Sequence, residues 1–256
     1  MTQGHVAVSS MPGFTEESFR VSQQDRHEPN WAVAKRRRAF EAFVSKPMPA
    51  LNHEEWRRTD IRALKLDSFT LAGLDSGGEG HGAAPEAFAP HLAKGQFAGS
   101  MFQVDGQHVS VELADELAKK GVIYCSMDEA VREHRELVEP HFLTRCVDPN
   151  YDKFSALHAA FWAGGAFLYV PRGVRIEEPL YFLTGLSAAA SSDLSHTLVI
   201  LEDGAEATIF QEQTSAEHER QALHVGAIEL FVGDGARLSY VNLQNWDNRV
   251  DRKSVV

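Results

Sequence analysis

The stretch LYVPRGVRIEE at residues 168–178 recurs twice, as VILEDGAEATI at 199–209 and LFVGDGARLSY at 230–240. The three superimpose on Gly173, Gly204 and Gly235, which lie 31 residues apart. In each, a short apolar run enters a turn and leaves it as an alternating strand. Leu168, Val199 and Leu230 coincide before the turn; Val174, Ala205 and Ala236, then Ile176, Ala207 and Leu238, coincide after it. Period-2 alternation puts those last two sets on one strand face. Glycine at the shared position supplies a backbone angle that a Cβ resists. Self-similarity at this period marks stacked units, none of which buries its apolar face alone. The reading is a β-solenoid over the C-terminal part of the chain, offering a rigid flank to partners.

Composition excludes several classes. The 256 residues hold 36 acids against 25 bases, a net charge of −11, which disfavours nucleic acid as a partner. No apolar run nears the roughly 20 residues that span a bilayer. The first residues, MTQGHVAVSSMPGF, lack the basic start and apolar core of a secretory signal, so the chain reads as cytoplasmic. Two cysteines, Cys125 and Cys146, are too few for a disulfide scaffold.

Three regions are expected: an N-terminal helical segment with a Gly-rich linker at 1–95, a small α/β domain at 96–150, and solenoid turns at 151–256. Residues 1–30 are polar and aperiodic, hence frayed. WAVAKRRRAFEAFV at 31–44 has helical spacing, with Trp31, Ala34, Phe40 and Phe43 near one stripe. Three of the four bases Lys35–Arg38 then fall on a solvated face, and Pro47 and Pro49 end the helix. Residues 72–87 read as a flexible linker. Asp105-Gly106 marks a hairpin, and Gly121 stops a short helix. Asp128 is read as the N-cap of a helix running to Pro140. FSALHAAFW, closed by Gly164-Gly165, is read as a helix capping the solenoid.

Candidate chemistry is sparse. Cys125 and Cys146 lack metal-ligand spacing and read as small core residues. His218 and His224 sit too far apart along a strand to share a metal; His158 lies on an apolar helix face, as a hydrogen-bonded core histidine does; His196 opens a strand with no evident partner. Gly77-Gly78-Glu79-Gly80 is linker, not a phosphate loop. Glu177-Glu178 and Glu202-Asp203 are turn carboxylates. A cupin-like metal enzyme would want an H-x-H pair, which the sequence lacks. A polysaccharide-acting enzyme would want exposed carboxylates and bases. The Arg175/Glu206/Arg237 column is better read as a salt-bridge ladder. No catalytic, cofactor-binding or metal residue is assigned, and the expectation is a non-enzyme.

The run FSALHAAFWAGGAFLYVPRGVRIEEPL, with Gly164-Gly165, Val170-Pro171, Gly173-Val174 and Pro179, resembles the SufB/SufD family, scaffold proteins of the SUF iron–sulfur cluster assembly machinery. HTLVILEDGAEATIFQE, GARLSYVNLQNW and PMPALNHEEWRRTDIRALKLDSF carry further likeness, from about Pro47 to Trp246. The E-E-W-R-x-T-D segment leans toward SufD. SufB-like sequences place a cysteine where this chain has Gln213, so a sulfur route through that position finds no thiol.

The resemblance implies a mainly β fold: a right-handed parallel β-helix core preceded by helical and small α/β segments. It implies a scaffold subunit acting with a SufB-like scaffold and a SufC-like ABC-type ATPase, handling an iron–sulfur cluster transiently in the full complex and binding no stable cofactor, nucleic acid or membrane. Family members continue beyond the Q-N-W position, so a truncated chain is expected here, lacking the ATPase-contact region.

Overall fold

A computed structural model describes residues 13–24, 26–50, 54–71, 88, 91, 96–187, 190–216 and 221–255. The linker read at 72–87, Gly77–Gly80, His218 and residues 1–12 lie outside them.

The helical layer comes first. Helix α1 (Glu16–Ser22) starts at a capping box in which Thr15 and Ser18 satisfy each other's backbone N–H groups. Over residues 13–24 this local signal corrects the expectation of a frayed stretch. Helix α2 (Asn30–Ser45) stops at Lys46, one residue short of Pro47. Its buried stripe is Ala32, Arg36, Ala39, Phe40 and Phe43, while Ala34, expected inside, faces out. Three helices follow: α3 (Asp115–Lys119), α4 (Met127–Glu133) and α5 (Arg135–Val138). Ser126, not Asp128, caps α4, and His134 (φ −122°, ψ 44°) breaks the single helix expected up to Pro140. Helix α6 (Lys153–Phe161), capped by Asp152 and Ser155, is buried from Phe154 to Phe161. It packs on α2 through Phe14, Phe19, Phe40, Phe43 and Phe161, whose ring centroids lie 4.6–6.3 Å apart.

The strands are β1 (Thr70–Leu71), β2 (Gly99–Val104), β3 (Gln107–Leu113), β4 (Ile123–Ser126), β5 (Ala166–Val170), β6 (Leu180–Leu186), β7 (Ser191–Asp193), β8 (His196–Leu201), β9 (Glu206–Ser215), β10 (Ala222–Val232), β11 (Arg237–Asn245) and β12 (Val250–Val255). A seven-stranded sheet runs β1-β7-β10-β8-β5-β4, with β12 also on β10; a five-stranded sheet runs β11-β9-β6-β2-β3. The 31-residue repeat sets much of the parallel register: Leu168 pairs with Val199 and Val199 with Leu230, while Glu206 lies between Arg175 and Arg237. The repeat glycines hold φ of +70°, +69° and +68°. Asp105 (φ +50°) and Gly106 (φ +75°) make the expected hairpin turn between β2 and β3.

The mainly β solenoid expected from the repeat is corrected by this arrangement. The described residues are mixed α/β, with two mixed sheets, and among them no closed solenoid is seen. The repeat spans only 168–240, so it dictates parallel pairing there and no further. Outside it, β3 pairs antiparallel with β2, and β4 antiparallel with β5. Helix α6 likewise does not cap a sheet end. It lies on the face of the larger sheet, where His158 reaches the Val225 carbonyl of β10 at 2.8 Å.

Two cores result. One lies between the helices and the larger sheet, around Phe161, Trp162, Phe167, Leu198 and Leu223. The other lies between the sheets, around Leu168, Val199, Ala207, Ile209 and Phe182. Buried Arg36 joins helix to helix. It pairs with Glu28 through bonds of 2.8 and 2.6 Å, donates to the Ala160 and Trp162 carbonyls, and stacks 4.0 Å from the Trp162 ring. Lys35, Arg37 and Arg38 remain at least partly exposed.

The elbow from α6 into β5 is the tightest point. A Cβ on Gly165 (φ +108°) would sit 2.5 Å from the His196 nitrogen and closer still to its oxygen. A Cβ on Gly173 meets nothing within 4 Å. Gly165→Ala is therefore expected to cost more than about 3 kcal/mol, and Gly173→Ala about 1 kcal/mol from its positive φ alone. Urea denaturation of both variants checks the ratio.

Candidate functional site

The inward face of β9 changes character along its length. Ala207 and Ile209 are apolar and join the intersheet core, whereas Gln211 and Gln213, on the same face, are polar and equally buried. Parallel register extends that polarity across the sheet. Gln103 pairs with Thr184, Thr184 with Gln213, and Gln213 with Gln244, while His108 faces Gln103 from β3. The larger sheet answers with its own row, in which Asp193 pairs with His224 and His224 with Arg252. The rows touch: Gln213 Nε2 lies 3.4 Å from His224 Nε2, and Arg252 reaches Gln244 Oε1 at 3.4 Å. Above them, Gln211 Oε1 accepts from Thr197 and, at short range, from Tyr240.

Hydrogen bonding assigns the proton positions. His224 Nδ1 lies 2.6 Å from Asp193 Oδ2, which also accepts from Ser195 at 3.0 Å. With a carboxylate at Nδ1, that nitrogen carries the hydrogen, and Nε2 accepts from the Gln213 amide. Gln103 Oε1 accepts the Gly165 N–H at 2.6 Å, tying the row to the elbow. The Trp246 ring covers His224 at 4.8 Å.

A second polar line occupies the other face of the larger sheet. His158 Nδ1 donates to the Val225 carbonyl, so its Nε2 accepts from His196 Nδ1 at 2.9 Å. His196 Nε2 stands 3.1 Å from Glu229 Oε2, and the Glu229 carboxylate accepts the amides of Leu143 (2.7 Å) and Val147 (3.2 Å). All three side chains are fully buried. Burial, then the neighbouring His196, holds the His158 pKa well below the usual histidine value.

The sequence-singled residues separate cleanly. His158 is the hydrogen-bonded core histidine it was read as, and His196 gains the partners that sequence reasoning missed. Cys125 is buried beside β5 in the core under the helices, its thiol pushed up to about 12 by burial, and Cys146 is exposed near Glu229. Arg175 and Arg237 flank Glu206 at 3.5 and 3.7 Å as a solvent-facing ladder. Glu177 and Glu178 are exposed, and Glu202 accepts from Tyr169 at 3.2 Å. Among the described residues no group of three or more His, Cys, Asp or Glu side chains is arranged to hold a metal ion. The facing rows did carry a sequence signal, because Asp193 and His224, and Gln213 and Gln244, are 31 residues apart like the repeat glycines.

Comparison with known families settles the ancestry. The SufBD protein N-terminal region matches residues 19–182, and the SUF system FeS cluster assembly SufBD core domain matches 183–253. The chain belongs to the SufBD family. An iron–sulfur cluster assembly SufBD family protein of Staphylococcus saprophyticus is 29% identical over 249 residues, 93% of this chain and 52% of the relative. The iron–sulfur cluster assembly protein SufB of Bacillus subtilis is 26% identical over 248 residues, with the same coverage. The chain thus spans about half the length of the curated relatives it matches. SufBD family membership, rather than any missing ligand, decides against the cupin-like reading. No helix among the described residues is long and apolar enough to cross a membrane.

The buried His158 gives the fold a pH signature. A histidine whose folded pKa is depressed binds its proton more readily when unfolded. Its stabilising contribution is therefore full above about pH 6.5 and falls away below it, by about 1.4 kcal/mol per pH unit for one proton. Coulombic repulsion from His196, then from His224 and Arg36, also opposes charge on His158. His108, also lowered by burial, adds to the effect. Urea midpoints measured between pH 7 and 5 are expected to fall, and His158→Gln to flatten that slope.

Proposed function

We propose that this chain is a scaffold component of SUF iron–sulfur cluster assembly, in the SufD-like role of a body that accepts no sulfur. The observation that carries the reading is Gln213. It sits at the centre of the buried polar rows, where SufB-like sequences place a cysteine, and neither cysteine of the chain lies beside it. Amide and hydroxyl groups at this position hydrogen-bond; they do not form persulfides. In this role the chain acts in the cytoplasm with a SufB-like scaffold and a SufC-like ATPase. The nascent cluster is cargo of the assembled complex, and this chain performs no covalent step.

Coexpression with a SufB-like scaffold and a SufC-like ATPase tests the role. The SufB-like scaffold is expected to copurify with this chain directly and the ATPase only through that scaffold, and a Cys125→Ala/Cys146→Ser variant with unchanged melting temperature is expected to support cluster formation, followed by visible absorption, at the wild-type rate. Failure to copurify contradicts the scaffold reading. A folded double variant that loses cluster formation contradicts the SufD-like part of it.

A further inference from the structure

Four polar atoms in the facing rows have no protein partner: Gln103 Nε2, Thr184 Oγ1, Gln213 Oε1 and Asp193 Oδ1. Their residues are at most 2% exposed. Native proteins seldom leave such atoms unsatisfied. These four are also neighbours. Gln103, Thr184 and Gln213 occupy one register position on three adjacent strands, about 4.8 Å apart, and Asp193 joins Gln213 through His224.

Turning the amides over does not help. Gln103 Oε1 already accepts from Gly165, so reversal would set an amide NH₂ against an N–H. Gln213 Nε2 faces the accepting nitrogen of His224, so reversal would set two acceptors together. The line continues at both ends. No well-aligned hydrogen bond reaches either ring nitrogen of His108, and Trp246 Nε1, beside His224, is likewise buried without a partner. Beyond Trp246 the row ends at exposed Gln244 and Asn245 on β11.

We infer that this line of unpartnered atoms is hydrated, holding a file of ordered water molecules that bridge them from the β11 end toward Gly165. The mixture of groups selects water. An anion would meet the Asp193 carboxylate, and a cation would meet the Gln103 amide hydrogens. Water donates to Gln213 Oε1 and Asp193 Oδ1, accepts from Gln103 Nε2, and does either with Thr184. This assignment is independent of the SUF role.

The test is a high-resolution crystal structure of the full chain, paired with oxygen-17 relaxation dispersion to count long-lived internal waters in solution. The expected result is ordered density within hydrogen-bonding distance of these atoms and a matching population of slow waters. Thr184→Val is expected to lower that count and to reduce the folding equilibrium constant about fivefold, because a bridged hydroxyl is lost. A dry seam in which the glutamine amides bond protein groups instead overturns the inference. So does a Thr184→Val protein more stable than the wild type, the outcome when a methyl replaces a dry, unpartnered hydroxyl. If Thr184→Val does not fold, the wild-type density and water count decide the matter.

Discussion

The Gly164-Gly165 elbow ties both sheets to the helical layer. Three elements meet it through backbone or side-chain hydrogen bonds. Gly165 donates to Gln103 of the smaller sheet and accepts from Met127 at the start of α4, while Gly164 accepts from His196 of the larger sheet and donates to Asp128. The His196 backbone approaches so closely that no side chain fits at Gly165. A single two-residue turn thereby fixes the helical layer against one sheet and the first sheet against the second. The polar rows inherit their geometry from it, because Gln103 is held by the elbow and the other members follow in register.

The polar rows run against the usual economy of a protein interior. A buried side chain with an unmet hydrogen bond costs about 1–3 kcal/mol, and an apolar pair of similar shape would cost nothing. The chain nevertheless spends apolar residues at one end of each strand and polar ones at the other: Ala207 and Ile209 give way to Gln211 and Gln213, and Leu180 and Phe182 to Thr184. The intersheet space is divided into a dry half near the repeat turns and a polar half near the elbow. Rigidity resides in the first half, and hydrogen-bonding chemistry in the second.

Much of this was legible in the chain, and what was not has identifiable causes. Parallel pairing at 168–240 follows from the repeat, and the β2–β3 turn from Asp105-Gly106, because both signals are local. The mixed α/β architecture was misjudged because a repeat announces how strands pair without saying what covers them. Three of the four bases Lys35–Arg38 do reach solvent, as their spacing implied, but the partners of the fourth, Arg36, were not legible: Glu28, Trp162 and the end of α6 explain its burial. His158 and His196 meet across 38 residues with no periodic cue. Asp193 and His224 did have one, since the 31-residue spacing of the glycines applies to them as well.

In its proposed role this SufBD family chain serves cluster assembly as a body without a sulfur-accepting residue. Persulfide mapping in the reconstituted assembly, with labelled sulfur supplied by a cysteine desulfurase and each chain analysed by mass spectrometry, addresses it most directly. Label is expected on the partner scaffold and none on this chain. Label retained on Cys125 or Cys146 would contradict it.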